Sequence, residues 1–123
     1  MAKFDDNQPI YLQIVQKIIR QIVRGDLRPG EKLKSVREMA VEFGVNPNTV
    51  QRVNGELERM GIVEARRGQG MFVTDHEGLL ANLRDEVMDR QISQFIADMR
   101  ESGFRDDEII DGVSRYLKSG EQG

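Results

Sequence analysis

The sequence predicts a mostly α-helical fold with one small β-hairpin, and three observations carry that expectation. Residues 46–52, Asn-Pro-Asn-Thr-Val-Gln-Arg, open a helix with its start signals in place. A shorter helical pattern stands just before it, separated only by Gly44-Val45. Two β-prone segments, 62–65 and 71–74, then flank a basic, glycine-bearing stretch at 66–70.

Pro9 opens the first helix after a short polar tail. Ile10, Ile14, Ile18 and Ile22 recur every four residues, and Tyr11, Val15, Ile19 and Val23 widen that stripe. The helix stops near Gly25, and Arg28-Pro29-Gly30-Glu31 is a turn sequence. Leu33 is expected to pair briefly as a strand. Ser35-Val36-Arg37-Glu38 has the S-x-x-E form of a capping box, starting a short helix with Val36, Met39, Ala40 and Phe43 inward. Gly44 suits the residue that ends it.

A link as short as Gly44-Val45 cannot turn two helices antiparallel, so the pair forms a helix-turn-helix. Asn46 is a good N-cap, and Pro47 suits the first turn, where a missing N–H costs nothing. Val50, Val53, Leu57 and Met60 make one buried stripe, leaving Asn48, Thr49, Gln51 and Arg52 on the outer side. The helix ends at Gly61. The following β-prone segments form a hairpin around Arg66-Arg67-Gly68-Gln69-Gly70. These parts together predict a winged helix-turn-helix domain over residues 1–75.

Residues 76–123 predict a C-terminal two-helix dimerisation appendage. From Glu77 to about Ser102 one long helix carries Leu80, Leu83, Val87, Ile92, Phe95, Ile96 and Met99 on a broad stripe. Gly103 ends it, and a last helix from about Asp106 to Lys118 turns Ile109, Ile110, Val113 and Leu117 inward. Phe104 is placed to staple against Ile109. Two such helices cannot bury their stripes on each other alone, so a second copy of the chain is expected to cover them, most simply about a two-fold axis. The expected dimerisation residues are Leu80, Leu83, Val87, Phe95, Ile96, Met99, Ile109, Val113 and Leu117.

Composition narrows the class. At 123 residues, 38% hydrophobic and 32% charged, the chain can bury a modest core. It has no cysteine, which excludes disulfides, thiol catalysis and cysteine metal sites and fits a reducing cytoplasm. No apolar run approaches the roughly 20 residues that span a bilayer, and the N-terminus lacks the basic-then-apolar order of a signal peptide. A soluble, cytoplasmic protein without a membrane partner is the expectation. Net charge is −3, but residues 1–75 hold 12 Lys/Arg against 10 Asp/Glu (+2) and residues 76–123 hold 6 against 11 (−5). Local field, not total charge, decides whether a face can meet phosphates.

Asn48, Thr49, Gln51 and Arg52 carry short or planar hydrogen-bonding groups of the kind that read base edges and phosphates in a major groove. The plainer alternative is a solvated helix face. At the hairpin tip, glycines let backbone approach a phosphate or the narrow minor groove, where arginine is favoured; the alternative is a hairpin charged for solubility. The Gly68-Gln69-Gly70 stretch is not a nucleotide loop, since no helix start follows it. His76, the only histidine, reads as a surface linker residue rather than a metal ligand. Asp106-Asp107-Glu108 reads as favourable charge at a helix N-terminus, and the methionines as packing residues. No nucleophile–histidine pair or phosphate loop is present, so neither an enzyme nor a cofactor is expected.

Residues 9–74 resemble the winged-helix domain of the GntR superfamily of bacterial transcription regulators, in its short YtrA-like branch. The resemblance rests on Pro9-Ile-Tyr-Leu-Gln-Ile14, Leu27-Arg-Pro-Gly-Glu-Lys-Leu33, Ser35-Val-Arg-Glu-Met-Ala40, Gly44-Val-Asn-Pro-Asn-Thr-Val-Gln-Arg52, Glu56-Leu-Glu58 and Arg66-Arg-Gly-Gln-Gly70. The C-terminal helices also look like the dimerisation appendage of that branch. The chain departs from the family in having Lys34 in place of a proline, which adds positive charge near a DNA backbone. It also has Asn54-Gly55 where a bulky residue and a helix former are usual; a mid-helix glycine costs roughly 1 kcal/mol against alanine.

The resemblance implies a sequence-specific DNA-binding transcription regulator, a repressor in the first instance, acting as a homodimer on a palindromic operator. It implies DNA contacts from Lys34, Ser35, Arg37, Asn46, Asn48, Thr49, Gln51, Arg52, Arg66, Arg67, Gly68, Gln69 and Gly70. Arg37 has a local alternative, an ion pair with Glu38 or Glu42. The partners implied are double-stranded DNA and a second copy of the chain. An unidentified small-molecule effector would have to sit at the dimer interface or between the two parts, because the appendage is too small for the ligand domains of larger relatives. The competing reading is a winged-helix adaptor that binds protein and not DNA.

Overall fold

A computed structural model describes residue 4 and residues 7–120. The helices are α1 (Ile10–Arg24), α2 (Val36–Phe43), α3 (Pro47–Arg59), α4 (Glu77–Glu101) and α5 (Asp106–Lys118). Strands β1 (Val63–Arg66) and β2 (Gly70–Val73) lie between α3 and α4. The chain divides into two compact units, one ending at Arg84 and the other beginning at Asp85. No described helix is long and apolar enough to cross a membrane.

The first unit is built on α1, whose buried residues are Ile14, Val15, Ile18, Ile19 and Ile22. Each isoleucine withdrawn from water contributes about 1.5–3 kcal/mol, so this face is the main anchor for the helices laid on it. The stripe starts one turn later than the spacing suggests, because Ile10 is 44% exposed. Helix α2 turns Met39, Ala40 and Phe43 inward, while Val36 is only half-buried. Helix α3 buries Val50, Val53, Asn54 and Leu57, with Met60 half-buried. Both α1 and α2 pack on α3, and α3 packs on β1.

The hairpin pairs Val63 with Val73 and closes at Arg66 opposite Gly70. The turn itself is therefore Arg67-Gly68-Gln69, narrower than the stretch 66–70 expected from sequence. A third strand-like segment completes the sheet. Gly30 N–H donates to the Val73 carbonyl at 2.9 Å, Val73 N–H to Glu31 at 2.8 Å and Leu33 N–H to Met71 at 2.8 Å. The bridge falls at Lys32, opposite Phe72, with the Leu33 side chain buried beneath.

The first two turns of α4 belong to the same unit. Leu83 is buried, and an Arg84 Nη1 donates to the carbonyl of Val23, at the C-terminal end of α1, at 2.8 Å. His76 caps this helix: its Nδ1 accepts from Leu79 N–H at 2.9 Å. His76 is thus a structural residue of the helix start, not the plain linker the sequence suggested.

The second unit is the remainder of α4 with α5. Arg100 forms a two-pronged pair with Asp106, both N···O distances 3.0 Å, across the turn between the helices. Glu108 Oε1 accepts from Arg105 N–H at 3.0 Å, satisfying one donor at the α5 start, so the acidic run there is helix-start chemistry. Among the described residues of this unit only Ile109 is buried, and Phe95 (42%), Val113 (39%) and Leu117 (57%) remain exposed. With Met99, Gly112 and Tyr116 they line an open apolar trough along α4 and α5.

Candidate nucleic-acid interface

The start of α3 is set by two local devices. Asn46 Oδ1 accepts from Asn48 N–H at 2.7 Å, and Pro47 occupies the first helical position. Capping uses the Asn46 oxygen and leaves its amide N–H groups exposed. On the outer face, Asn48, Gln51 and Arg52 are exposed and Thr49 is half-buried. None of these four side chains has a hydrogen bond or ion pair to another described residue. Their donors and acceptors are left to water or to a binding partner, as a face that binds requires.

Helix α2 presents the next group. Ser35 Oγ accepts from Glu38 N–H at 3.1 Å and Glu38 Oε1 from Ser35 N–H at 3.0 Å, the reciprocal capping box expected from sequence. The Ser35 N–H and hydroxyl hold the Glu38 carboxyl below the usual carboxylate range. Glu42 takes Lys34, Nζ to Oε1 at 2.8 Å, and this hydrogen bond raises the Lys34 ammonium pKa. With both nearby carboxylates engaged elsewhere, Arg37 has no ion pair among the described residues and is exposed. Lys34 is the less available cation, although an exposed pair of this kind is weak and exchanges readily for phosphate.

On the hairpin, Arg67, Gly68 and Gln69 are exposed. Arg66 is half-buried: its guanidinium lies over the Phe72 ring at 4.1 Å from the centroid, with Glu64 at 3.6 Å. Arg66 therefore stiffens the hairpin, and Arg67 is the cation there without an ion pair among the described residues. Gly70 has φ +118°, a conformation that L side chains rarely adopt, and a Cβ there would meet Lys32 Cε at 3.0 Å.

Two residues join the face that the sequence reading passed over. Lys32 runs its aliphatic chain across Gly70, so its ammonium sits beside the hairpin tip. The signal was strand alternation: with Leu33 inward, its neighbour Lys32 must point outward. Tyr11 lies under Arg52, whose Cζ is 3.9 Å from the ring centroid. No local pattern links residues on different helices, so that contact was not legible.

Residues 10–73 match the family model described as bacterial regulatory proteins, gntR family. The chain is 42% identical over 118 residues to the HTH-type transcriptional regulator YhcF of Bacillus subtilis (strain 168), covering 96% of this chain and 98% of that protein. It is 35% identical over 118 residues to the HTH-type transcriptional repressor YtrA of the same organism, covering 93% and 91%. Among solved structures, a GntR family transcriptional regulator from Listeria monocytogenes superposes with TM-score 0.84 at 38% identity, over 91% of this chain and 98% of that one. The DNA-binding domain of AraR, solved in complex with operator ORX1, superposes with TM-score 0.54 at 27% identity, over 60% of this chain and 90% of that one. With its winged helix-turn-helix unit and C-terminal helices matched along nearly their whole length, this chain belongs to the GntR family of bacterial transcription regulators, in the YtrA-like branch.

Proposed function

We propose that the protein is a sequence-specific DNA-binding repressor that acts in the cytoplasm as a homodimer on a palindromic operator. The observation that carries this reading is the outer face of α3, where Asn48, Gln51 and Arg52 stand exposed without hydrogen bonds or ion pairs to described residues. Asparagine and glutamine amides match the two-point pattern of adenine, and arginine that of guanine. Arg37 supplies a free cation from α2. The hairpin reaches phosphate or minor groove with Arg67 and, beside it, Lys32, while Gly68 and Gly70 keep the backbone bare enough to approach. Lys34, Ser35, Asn46, Thr49, Arg66 and Gln69 complete the contact set as positioning groups around these. Likeness to the AraR domain solved on its operator supports the same mode of docking here.

The trough on the second unit supports pairing with a second copy. Phe95, Val113 and Leu117 leave 42%, 39% and 57% of their surface to water within one chain, too much apolar area to be left uncovered. Met99 and Ile96, half-buried, border it. Leu83 is buried within the first unit and Ile109 within the second, and Leu80 and Val87 are half-buried. A two-fold dimer reads half-sites about 10 bp apart or a multiple of that. A small-molecule effector would act by changing the spacing between the paired winged units.

Gel-shift titration of Arg52→Ala and Arg67→Ala tests the assignment, with sedimentation to follow the dimer. Both substitutions are expected to weaken DNA binding without dissociating the dimer, and a lost phosphate contact flattens the salt dependence by about one counterion. Unchanged affinity in both would contradict the reading.

A further inference from the structure

Arg52 and Tyr11 come from different helices, α3 and α1, yet the guanidinium carbon of one stands 3.9 Å from the ring centre of the other. That is close contact, well inside the roughly 6 Å reach of a cation–π interaction. The Tyr11 ring is half-buried and so held in place, whereas Arg52 is exposed. A competing partner lies within reach. Glu56 is one turn further along α3, the i,i+4 spacing at which an arginine and a carboxylate pair on a helix surface. Glu56 instead binds Arg59, Oε1 accepting from Nε at 3.0 Å and Oε2 from Nη2. No ion pair joins Arg52 to Glu56 among the described residues, although Arg52 is near enough to help Arg59 hold the Glu56 carboxyl below its ordinary range.

Stacking engages the flat face of a guanidinium and leaves its five N–H groups, which lie in the plane, free at the edges. An arginine held this way can still donate to a phosphate or a guanine. It also has less rotamer freedom to lose when DNA arrives.

We propose that Tyr11 is a positioning residue for DNA recognition: its ring holds the Arg52 guanidinium on the outer face of α3, out of an ion pair with Glu56 and ready to meet DNA. This rests on the DNA-binding reading above. Without the ring, Arg52 falls back onto Glu56 at i+4, and its charge is partly cancelled before DNA is met.

The test uses the full chain and a duplex that the wild-type protein selects from a random-sequence pool, with affinity read by fluorescence anisotropy. Tyr11→Phe keeps the ring and is expected to bind within twofold of wild type. Tyr11→Leu is expected to bind about two- to fivefold more weakly, the range of an exposed cation–π contact. In an Arg52→Ala background, Tyr11→Leu is expected to cause no further loss, because the ring acts only through that arginine. Glu56→Gln is expected to restore part of the Tyr11→Leu loss. Should Tyr11→Leu melt below the assay temperature, Tyr11→Met, of similar reach and without a ring, takes its place. The proposal is overturned if Tyr11→Leu binds like wild type, if its loss persists undiminished in the Arg52→Ala background, or if Tyr11→Phe loses as much as Tyr11→Leu. Failure of the wild-type protein to select any duplex would overturn the DNA-binding reading itself, and this proposal with it.

Discussion

Gly70→Ala sets two effects against each other at the hairpin, and the structure says which should win. The φ of +118° lies where only glycine is at ease, and a side chain forced there costs about 1–3 kcal/mol. The added Cβ would also stand 3.0 Å from Lys32 Cε, but that atom is near the far end of a flexible chain and can swing aside cheaply. Backbone strain therefore dominates. For a unit of this size each kcal/mol lowers Tm by about 4–8 °C, so Gly70→Ala should melt at least about 4 °C below wild type. Gly68→Ala is the control: φ there is +74° with nothing within 4 Å of the new Cβ, and the cost is the left-handed penalty alone, about 1–2 kcal/mol. Thermal melts followed by circular dichroism would compare wild type, both alanine variants and Gly70→Ala with Lys32→Ala. The double variant should melt no higher than Gly70→Ala. If removing Lys32 restores the wild-type Tm, the clash and not the backbone was the cost, and the reasoning is wrong.

Other consequences can be checked separately. The Glu38 carboxyl is held below its ordinary range by Ser35, so the cap stabilises above that range and is lost as pH falls through the lowered value; Glu38→Gln should flatten this acid loss of Tm, and an unchanged profile would contradict it. Asn54 is 6% exposed, and its Oδ1 has no hydrogen-bond partner among the described residues. Since such an atom costs about 1–3 kcal/mol, Asn54→Leu should raise the denaturant midpoint, and a lower one would show that the pocket cannot take the added volume. Lys32→Ala should weaken DNA binding across sequences and reduce the salt slope by about one; an unchanged slope would remove Lys32 from the interface. His76→Ala should lose about 1 kcal/mol by uncapping α4 while His76→Asn keeps most of it, with equal Tm for the two counting against the cap.

What the sequence disclosed and what it hid divide by distance along the chain. Asn46 with Pro47, Ser35 with Glu38, and the apolar spacing of Val50, Val53 and Leu57 are local signals, each decided within a few residues, and all stand in the structure as expected. Hairpin limits moved by one residue, since Arg66 and Gly70 still pair and only Arg67-Gly68-Gln69 turn. The pairing of 30–33 with β2 was visible only as an expectation for Leu33, because its partners lie some forty residues on. Tyr11 read as part of an apolar stripe, and only packing of α1 on α3 reveals that its ring meets Arg52. Asn54 falls on the buried side of α3, where spacing alone would place an apolar residue. On the candidate face, Arg52, Arg37 and Arg67 were recognisable by type and position, whereas Lys34's pairing with Glu42 and Arg66's stacking on Phe72 required coordinates.

Sequencing the duplexes that the purified wild-type protein retains from a random pool tests the central claim most directly. The expected result is an enriched motif of two inverted half-sites about 10 bp apart or a multiple of that, bound less tightly as salt rises. Recovery of no enriched sequence, or of one without inverted symmetry, would contradict a paired, α3-reading regulator.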